Sequence, residues 1–216
     1  MSDPRGFVLA QTAVAHPPLV PEIRLRLASE VMPLWRATEA DLEDLGLPPP
    51  YWAFAWPGGQ ALARYLLDRP DVVTDRRVLD FAAGSGIQGI AAALSGAAEV
   101  TACDIDPFAL AAIEINAKLN DTSIAADGSD LVGSDHGWDV VLAGDVCYES
   151  AMSDAVVPWL RSLATRGAKV LLGDPGRSYL PRSGLKQLIT YAVRTSRDLE
   201  DDELRNSVVW QVRKYR

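Results

Sequence analysis

From Arg77 onward the chain alternates between short apolar runs and stretches of helical period. The apolar runs at 78–81, 100–103, 123–126, 139–143 and 169–172 have strand length. Between and after them, 87–94, 108–119, 151–163 and 185–192 carry helical spacing; Met152, Val156, Trp159, Leu160 and Leu163 fall on one helix face. Strands alternating with helices of this length demand right-handed crossovers, hence a mostly parallel α/β sheet with helices on both faces, a doubly wound architecture. The end of the chain departs from that rhythm. Segments 192–197 and 207–213 look like strands joined by an acidic turn, so a terminal hairpin should add one antiparallel strand.

Upstream of the alternation the pattern is weaker. Residues 1–50 are expected to form an irregular N-terminal extension belonging to the substrate-binding face, with an alternating piece at Ile23–Leu27 and acidic residues from Glu39 to Asp44. Pro48, Pro49 and Pro50 end it, because consecutive prolines lack backbone donors and force an extended path. An aromatic-dense stretch, 51–56, then turns at Pro57-Gly58-Gly59 into a helix over 60–67. Residues 51–216 would make up the main domain, consistent with one core in a chain of 216 residues.

Several function classes fall away on composition. Twenty-nine carboxylates against 21 Lys and Arg leave a net charge of −8, unsuited to neutralising nucleic-acid phosphates. Cys103 and Cys147 are too few for a disulfide framework, and with His16 and His136 they show no metal-ligand spacing. The longest uncharged run, Phe81 to Ala98, is rich in Ala, Gly and Ser with Gln88 at its middle, a poor lipid-facing helix. Near the start, an apolar run is broken by Gln11 and Thr12 before it reaches the length of an export signal. A cytoplasmic protein with no membrane or nucleic-acid partner is expected.

In a parallel sheet, ligands bind beyond the carboxyl ends of the strands, beside the first one. Here that strand runs into Asp80-Phe81-Ala82-Ala83-Gly84-Ser85-Gly86-Ile87-Gln88-Gly89, and Gly84-x-Gly86-x-x-Gly89 matches a dinucleotide fingerprint. Asp104 lies roughly 20 residues after Gly84, where a ribose-binding acid belongs, with Ile105 beside it. A nicotinamide cofactor would set its pyrophosphate against Asp80, an unfavourable pairing. S-adenosylmethionine instead brings a sulfonium and an ammonium. Asp80, Asp104 and Asp145, each at a strand end, would form an anionic rim for it. Gly-Lys never occurs, which excludes a phosphate-binding P-loop. Asp106 reads as the cap of the helix opened by Pro107. Asp127 could contact the adenine amino group or simply start a turn with Gly128.

After the fourth strand comes Gly144-Asp145-Val146-Cys147-Tyr148-Glu149. A methyl acceptor must align its lone pair behind the methyl carbon, so positioning dominates the chemistry. An amine acceptor needs a hydrogen-bond acceptor and an aromatic wall, which Asp145 and Tyr148 would supply. A lysine must lose a proton from an ordinary pKa near 10.4, and desolvation against Trp52, Trp56 and Tyr148 would lower it. Cys147 has no histidine nearby to activate it as a nucleophile.

These segments together resemble one family. Pro50-Tyr51-Trp52-Ala53-Phe54-Ala55-Trp56-Pro57-Gly58-Gly59-Gln60-Ala61-Leu62 is similar to the segment before the first strand in electron transfer flavoprotein beta-subunit lysine methyltransferases, members of the seven-strand protein lysine methyltransferases. Gly144-Asp145-x-x-Tyr148 resembles their Asp-x-x-Tyr motif, and Gly173-Asp174-Pro175-Gly176-Arg177 their turn after the fifth strand. The resemblance covers about residues 20–215 and implies a Rossmann-like, seven-stranded class I methyltransferase fold. It also implies methyl transfer from S-adenosylmethionine, released as S-adenosylhomocysteine, to lysines of the flavoprotein beta subunit, with a ribosomal protein as the alternative protein acceptor. A small amine is the other acceptor class to weigh, and the chain is expected to act as a monomer.

By the same resemblance Trp56 packs on the cofactor, Asp80, Gly84, Gly86 and Asp104 hold it, and Asp145 with Tyr148 faces the lysine; Ala82, Ile105, Asp127 and Asp145 are further candidate cofactor contacts by their position. Asp145 and Tyr148 are the expected catalytic pair, with Trp52, Tyr148 and Glu149 toward the substrate. Ala82 departs from the family pattern: it stands at the first glycine of the loop, adding a methyl where the backbone should pass the cofactor.

Overall fold

The computed structural model describes residues 3–28, 49–194 and 204–214. Its centre is a seven-stranded sheet. Strands β3 (Arg77–Phe81), β4 (Glu99–Cys103), β5 (Ala125–Asp127), β6 (Val140–Gly144) and β7 (Lys169–Asp174) run parallel, in the order β5-β4-β3-β6-β7. The sheet is completed by β9 (Leu204–Val212), antiparallel to β7, and by β8 (Leu185–Arg194) outside it. The five parallel strands lie within two residues of their sequence-based positions.

Each central strand is apolar on both sides. Val78, Val140, Leu142 and Leu171 enter one buried cluster, while Leu79, Val141, Ala143, Val170 and Leu172 enter another. Alternate residues thus feed opposite faces, as the pleat requires. Helices α2 (Pro57–Asp68), α3 (Ile87–Leu94) and α4 (Pro107–Leu119) cover the first face; α5 (Ser150–Arg166) seals the second with Val156, Trp159, Leu160 and Leu163. The cap at Asp106 is as expected, its side chain accepting from the Phe108 amide at 2.8 Å.

Two expectations are overturned. Residues 185–192 are not helical but form most of β8. A register shift between Gln187 and Ile189 inserts one extra residue opposite β9. Half-buried side chains therefore recur at Leu185, Leu188 and Tyr191, a spacing of three that imitates a helix. Ile189, Thr190, Tyr191 and Val193 nonetheless suit a strand better. The hairpin strands consequently start earlier than expected, and its 195–203 connection lies outside the described residues.

The N-terminal segment is not irregular where it is described. Helix α1 (Pro4–Gln11), capped by Asp3, is followed by a small antiparallel pair, β1 (Ala13–Ala15) and β2 (Leu25–Leu27). Val20, Ile23 and Leu25 are fully buried in the cluster of the first sheet face. The acidic stretch at 39–44 lies outside the described residues.

Two asparagines of α4 join this segment to the domain. The Asn116 and Asn120 carboxamide oxygens accept from the backbone amides of Arg26 and Arg24, each at 2.8 Å. Asn116 also donates to the Ser85 carbonyl at 2.9 Å, so one fully buried side chain ties the N-terminal pair to the glycine loop. Asn116→Ala leaves two backbone groups unpaired, at about 1–3 kcal/mol each when buried. With about 2–4 °C lost per kcal/mol, thermal unfolding followed by circular dichroism should show a midpoint about 5 °C or more lower. An unchanged midpoint would show that these bonds add no net stability.

Candidate active site

The carboxyl ends of β3, β4 and β6 open into a cavity of about 530 Å³, a size typical of small-molecule sites. Its floor is the loop after β3. Ala82, Gly84 and Gly86 have φ of 50°, 52° and 79°, so the chain turns through three left-handed residues within five. Two are glycine, for which this is inexpensive. Ala82 is not, and the left-handed region costs it about 1–2 kcal/mol. Its methyl lines the cavity and packs against the buried cluster on the second sheet face.

The loop hangs on two carboxylates with different fates. Asp104 lines the cavity; one of its oxygens accepts from the Gly84 amide at 2.9 Å and the other from the Asp106 amide at 3.1 Å. Burial pushes its carboxyl up. Asp80 is different. It is fully buried beneath the loop, accepting from Gln88 Nε2 at 3.0 Å and the Gly89 amide at 2.7 Å, and does not line the cavity. Desolvation drives its carboxyl well above the usual range. The expected anionic rim thus comes down to Asp104 and Asp145, with Asp80 supporting the loop from below.

The second wall is made by the start of α2. A Cβ on Gly58 would lie 2.3 Å from the Gly173 carbonyl oxygen, and one on Gly144 would lie 2.9 Å from the Gly59 nitrogen. Whereas a Cβ on Gly59 would press on the Ile87 side chain at 3.2 Å, Gly58 and Gly144 are therefore needed for these backbones to touch. That contact aims the helix N-terminus at Asp145, whose Oδ2 accepts from the Gly59 amide at 2.8 Å. Asp145 has φ 59° and a side chain only 10% exposed. Burial raises its carboxyl to about 7, opposed by Arg177, whose Nη2 stands 3.4 Å from Oδ1, and by the Gly59 amide. A cavity carboxyl that exchanges its proton near neutrality suits an acid–base role.

Aromatic rings form the mouth. Trp56 donates its indole N–H to the Tyr51 carbonyl at 2.8 Å, and the Tyr51 and Tyr148 rings lie 5.4 Å apart. Trp52 lines the inner wall but is 2% exposed, stacked on Phe108 at 6.4 Å. Ile105 projects from the rim, 76% exposed.

Of the residues expected here, Trp52, Trp56, Ala82, Gly84, Asp104, Ile105, Asp145 and Tyr148 line this cavity. Gly86 does not; a Cβ there would meet Ile113 at 3.4 Å, so it serves helix packing. Asp127 stands beside the cavity, its carbonyl accepting from the Asp104 amide at 3.1 Å, and its half-exposed side chain accepts from the Ser129 amide at 2.8 Å, in keeping with the turn reading. Glu149 is exposed at the start of α5 and also lies off the cavity. Tyr51, Gln88 and Arg177 line it without having been assigned a role. Only for Arg177 was there a signal, a basic residue directly after the tight turn Asp174-Pro175-Gly176.

Other chemistries find no support among the described residues. Burial raises the thiols of Cys103 and Cys147 to about 12 and about 11, far from nucleophilic. No group of three or more His, Cys, Asp or Glu among the described residues could hold a metal ion. The cavity does suit a small zwitterionic sulfonium. It offers a carboxylate at the β4 end, a carboxylate and a guanidinium at the β6 end, and the buried Gln88 Oε1, which has no hydrogen-bond partner.

Comparisons with known proteins agree with this geometry. The family model for ribosomal protein L11 methyltransferase (PrmA) matches residues 60–145. The electron transfer flavoprotein beta subunit lysine methyltransferase of Xenopus laevis is 41% identical over 214 residues, covering 96% of this chain and 86% of that protein. Among solved structures, a ribosomal protein L11 methylase from Lactobacillus delbrueckii subsp. bulgaricus superposes with TM-score 0.53 at 25% identity, covering 75% of this chain and 81% of the other. Magnesium protoporphyrin IX methyltransferase from Synechocystis, with bound SAH, superposes with TM-score 0.54 at 18% identity over 72% of this chain and 81% of the other, a likeness of fold.

Gly58→Ala tests the helix–strand contact. Overpacking costs about 1–3 kcal/mol, and the close backbone approach leaves no flexible neighbour to yield. A lower melting midpoint together with weakened binding of S-adenosylhomocysteine by calorimetry is expected. Unaltered binding would show that the close approach of α2 to β7 is not needed for the cavity to form.

Proposed function

The chain belongs to the electron transfer flavoprotein beta subunit lysine methyltransferase family, and we propose that it methylates lysine side chains of the electron transfer flavoprotein beta subunit, using S-adenosylmethionine. One observation carries this reading: Asp145, with a carboxyl poised near 7, shares a cavity with the glycine loop, Trp56 and Tyr148. When bound, S-adenosylmethionine supplies an electrophilic methyl on sulfur.

The chain's own residues would do the rest. Asp104 and Gly84 fix the β3–β4 side of the cavity, and each Asp104 oxygen keeps a lone pair for a ribose hydroxyl. Trp56 and Tyr148 exclude water from a lysine that enters between them, lowering the pKa of its amine. Asp145 accepts an N–H of that amine, turning its lone pair toward the methyl, and takes the proton that must leave as the N–C bond forms and the S–C bond breaks. Tyr148 stays a neutral phenol, its pKa raised first by burial, and serves as wall and hydrogen-bond donor. The N-terminal segment up to residue 50 would contribute to docking, since Pro49 and Tyr51 stand at the cavity mouth. The matched L11 methyltransferase family model favours a ribosomal protein as the second acceptor.

The test is mass spectrometry after incubating the enzyme and deuterated S-adenosylmethionine with purified flavoprotein, and separately with ribosomal proteins. Labelled lysines on the beta subunit are expected; label on a ribosomal protein alone would favour the second reading, and no label on either, with cofactor bound, would overturn both. Asp145→Asn should lower kcat about 10²–10⁴-fold, the usual worth of a positioned base, with cofactor affinity measured in parallel. A kcat within a few-fold of the parent would remove Asp145 from the proton-accepting role.

A further inference from the structure

Among the described residues lining the cavity, Arg177 is the one basic side chain. Its placement is built rather than incidental. Asp174, the last residue of β7, is fully buried, and its Oδ1 accepts from the amides of Gly176 at 2.6 Å and Arg177 at 2.7 Å. Gly176, with φ 91°, lets the chain reverse there. This clamp sends the Arg177 side chain back over the strand ends, where its Cζ lies 5.7 Å from the Trp56 ring centroid and its Nη2 3.4 Å from Asp145 Oδ1. The guanidinium is 22% exposed and so weakly screened.

Asp145 is thereby held at both oxygens. Oδ2 takes the Gly59 amide, at the positive end of α2, and Oδ1 faces the guanidinium. The Gly58 amide, in the same helix turn, also favours the charged form; against it, burial is the largest force toward protonation, Asp174 opposes ionisation, and Cys147 stays a neutral thiol. At 3.4 Å the ion pair is longer than the about 2.7–2.9 Å of a tight charge-assisted bond. It can therefore yield to an arriving ammonium, which needs the same carboxylate and the same aromatic face.

We propose that Arg177 is a positioning residue that keeps the Asp145 carboxylate charged and turned into the cavity until the substrate amine takes its place. This rests on Asp145 being the group that receives the amine, as set out under Proposed function. Without the guanidinium, Asp145 keeps its proton to higher pH, and transfer at neutral pH fails for want of an acceptor rather than for want of a fold.

Arg177→Gln and Arg177→Lys test this with two readouts. The first needs no activity: melting midpoints of the parent, R177Q, D145N and the double variant from pH 5 to 9.5. A carboxyl raised in the folded state holds a proton that the unfolded chain releases, so its contribution to stability falls as pH rises from about 4 through about 7. In R177Q that fall should extend at least one pH unit higher, and D145N should abolish the difference. The second readout is the pH profile of methyl transfer. The acid limb of kcat/KM should move up by at least one unit in R177Q, giving at least about fivefold less activity at pH 7 and values converging on the parent above pH 9. R177K should restore the limb.

Parallel midpoint curves for R177Q and the parent would overturn the proposal. So would an activity loss of the same factor at every pH, the mark of a merely structural residue. If the parent transfers no methyl at all, the functional reading fails while the midpoint cycle still decides the role of Arg177.

Discussion

The contact on which the site depends is the hydrogen bond from the Gly59 amide to Asp145 Oδ2, 2.8 Å long and spanning 86 residues of sequence. It exists because three glycines, Gly58, Gly144 and Gly173, leave no side chain between the start of α2 and the ends of β6 and β7. With the backbones this close, the carboxylate caps the helix in the manner of an N-terminal Asp, except that it comes from another element. The helix cap and the cavity acid are one group. Stability and chemistry are therefore coupled there.

Buried polar groups beneath the loop after β3 hold it in place, although Gln88 Oε1 is left without a partner there. Asp80, Gln88 and Asn116 are each at most 2% exposed, and an unpaired polar group at such a place costs a few kcal/mol (roughly 1–3). Asp80 is bound by Gln88 and Gly89, and Asn116 by Ser85 and Arg26. These bonds offset the strain of a loop with three left-handed residues, one of them Ala82. They also fix the floor of the cavity without occupying it. The N-terminal pair of strands becomes part of the same network through Asn116, which is why that segment folds onto the domain.

Charge in the cavity is set by position along the strand more than by residue type. Asp80 lies within β3, with its side chain under α3; Asp104 and Asp145 lie one residue past their strands, where the chain has left the sheet. All three are aspartates at strand ends, yet only the latter two reach the cavity. A difference of two or three residues in register along the sheet decides whether a carboxylate supports the loop or meets a ligand.

The sequence by itself determined the alternation of strands and helices, the parallel sheet and the glycine loop. It also placed Asp104, Asp145 and Tyr148 at one sheet edge, because hydrophobic period and turn chemistry are local properties, and Trp56 joined them through the resemblance of the aromatic segment. It could not separate Asp80 from that group, exclude Glu149 and Asp127, or show that 185–192 is a strand whose bulge imitates a helical spacing. Those outcomes depend on which face a side chain takes and which neighbour arrives from elsewhere in the chain. The partners that matter most, Gly59 with Asp145, Arg177 with Asp145 and Asn116 with Arg26, are 86, 32 and 90 residues apart. Only the tertiary structure brings them within hydrogen-bonding distance, since no local pattern encodes a contact between distant backbones.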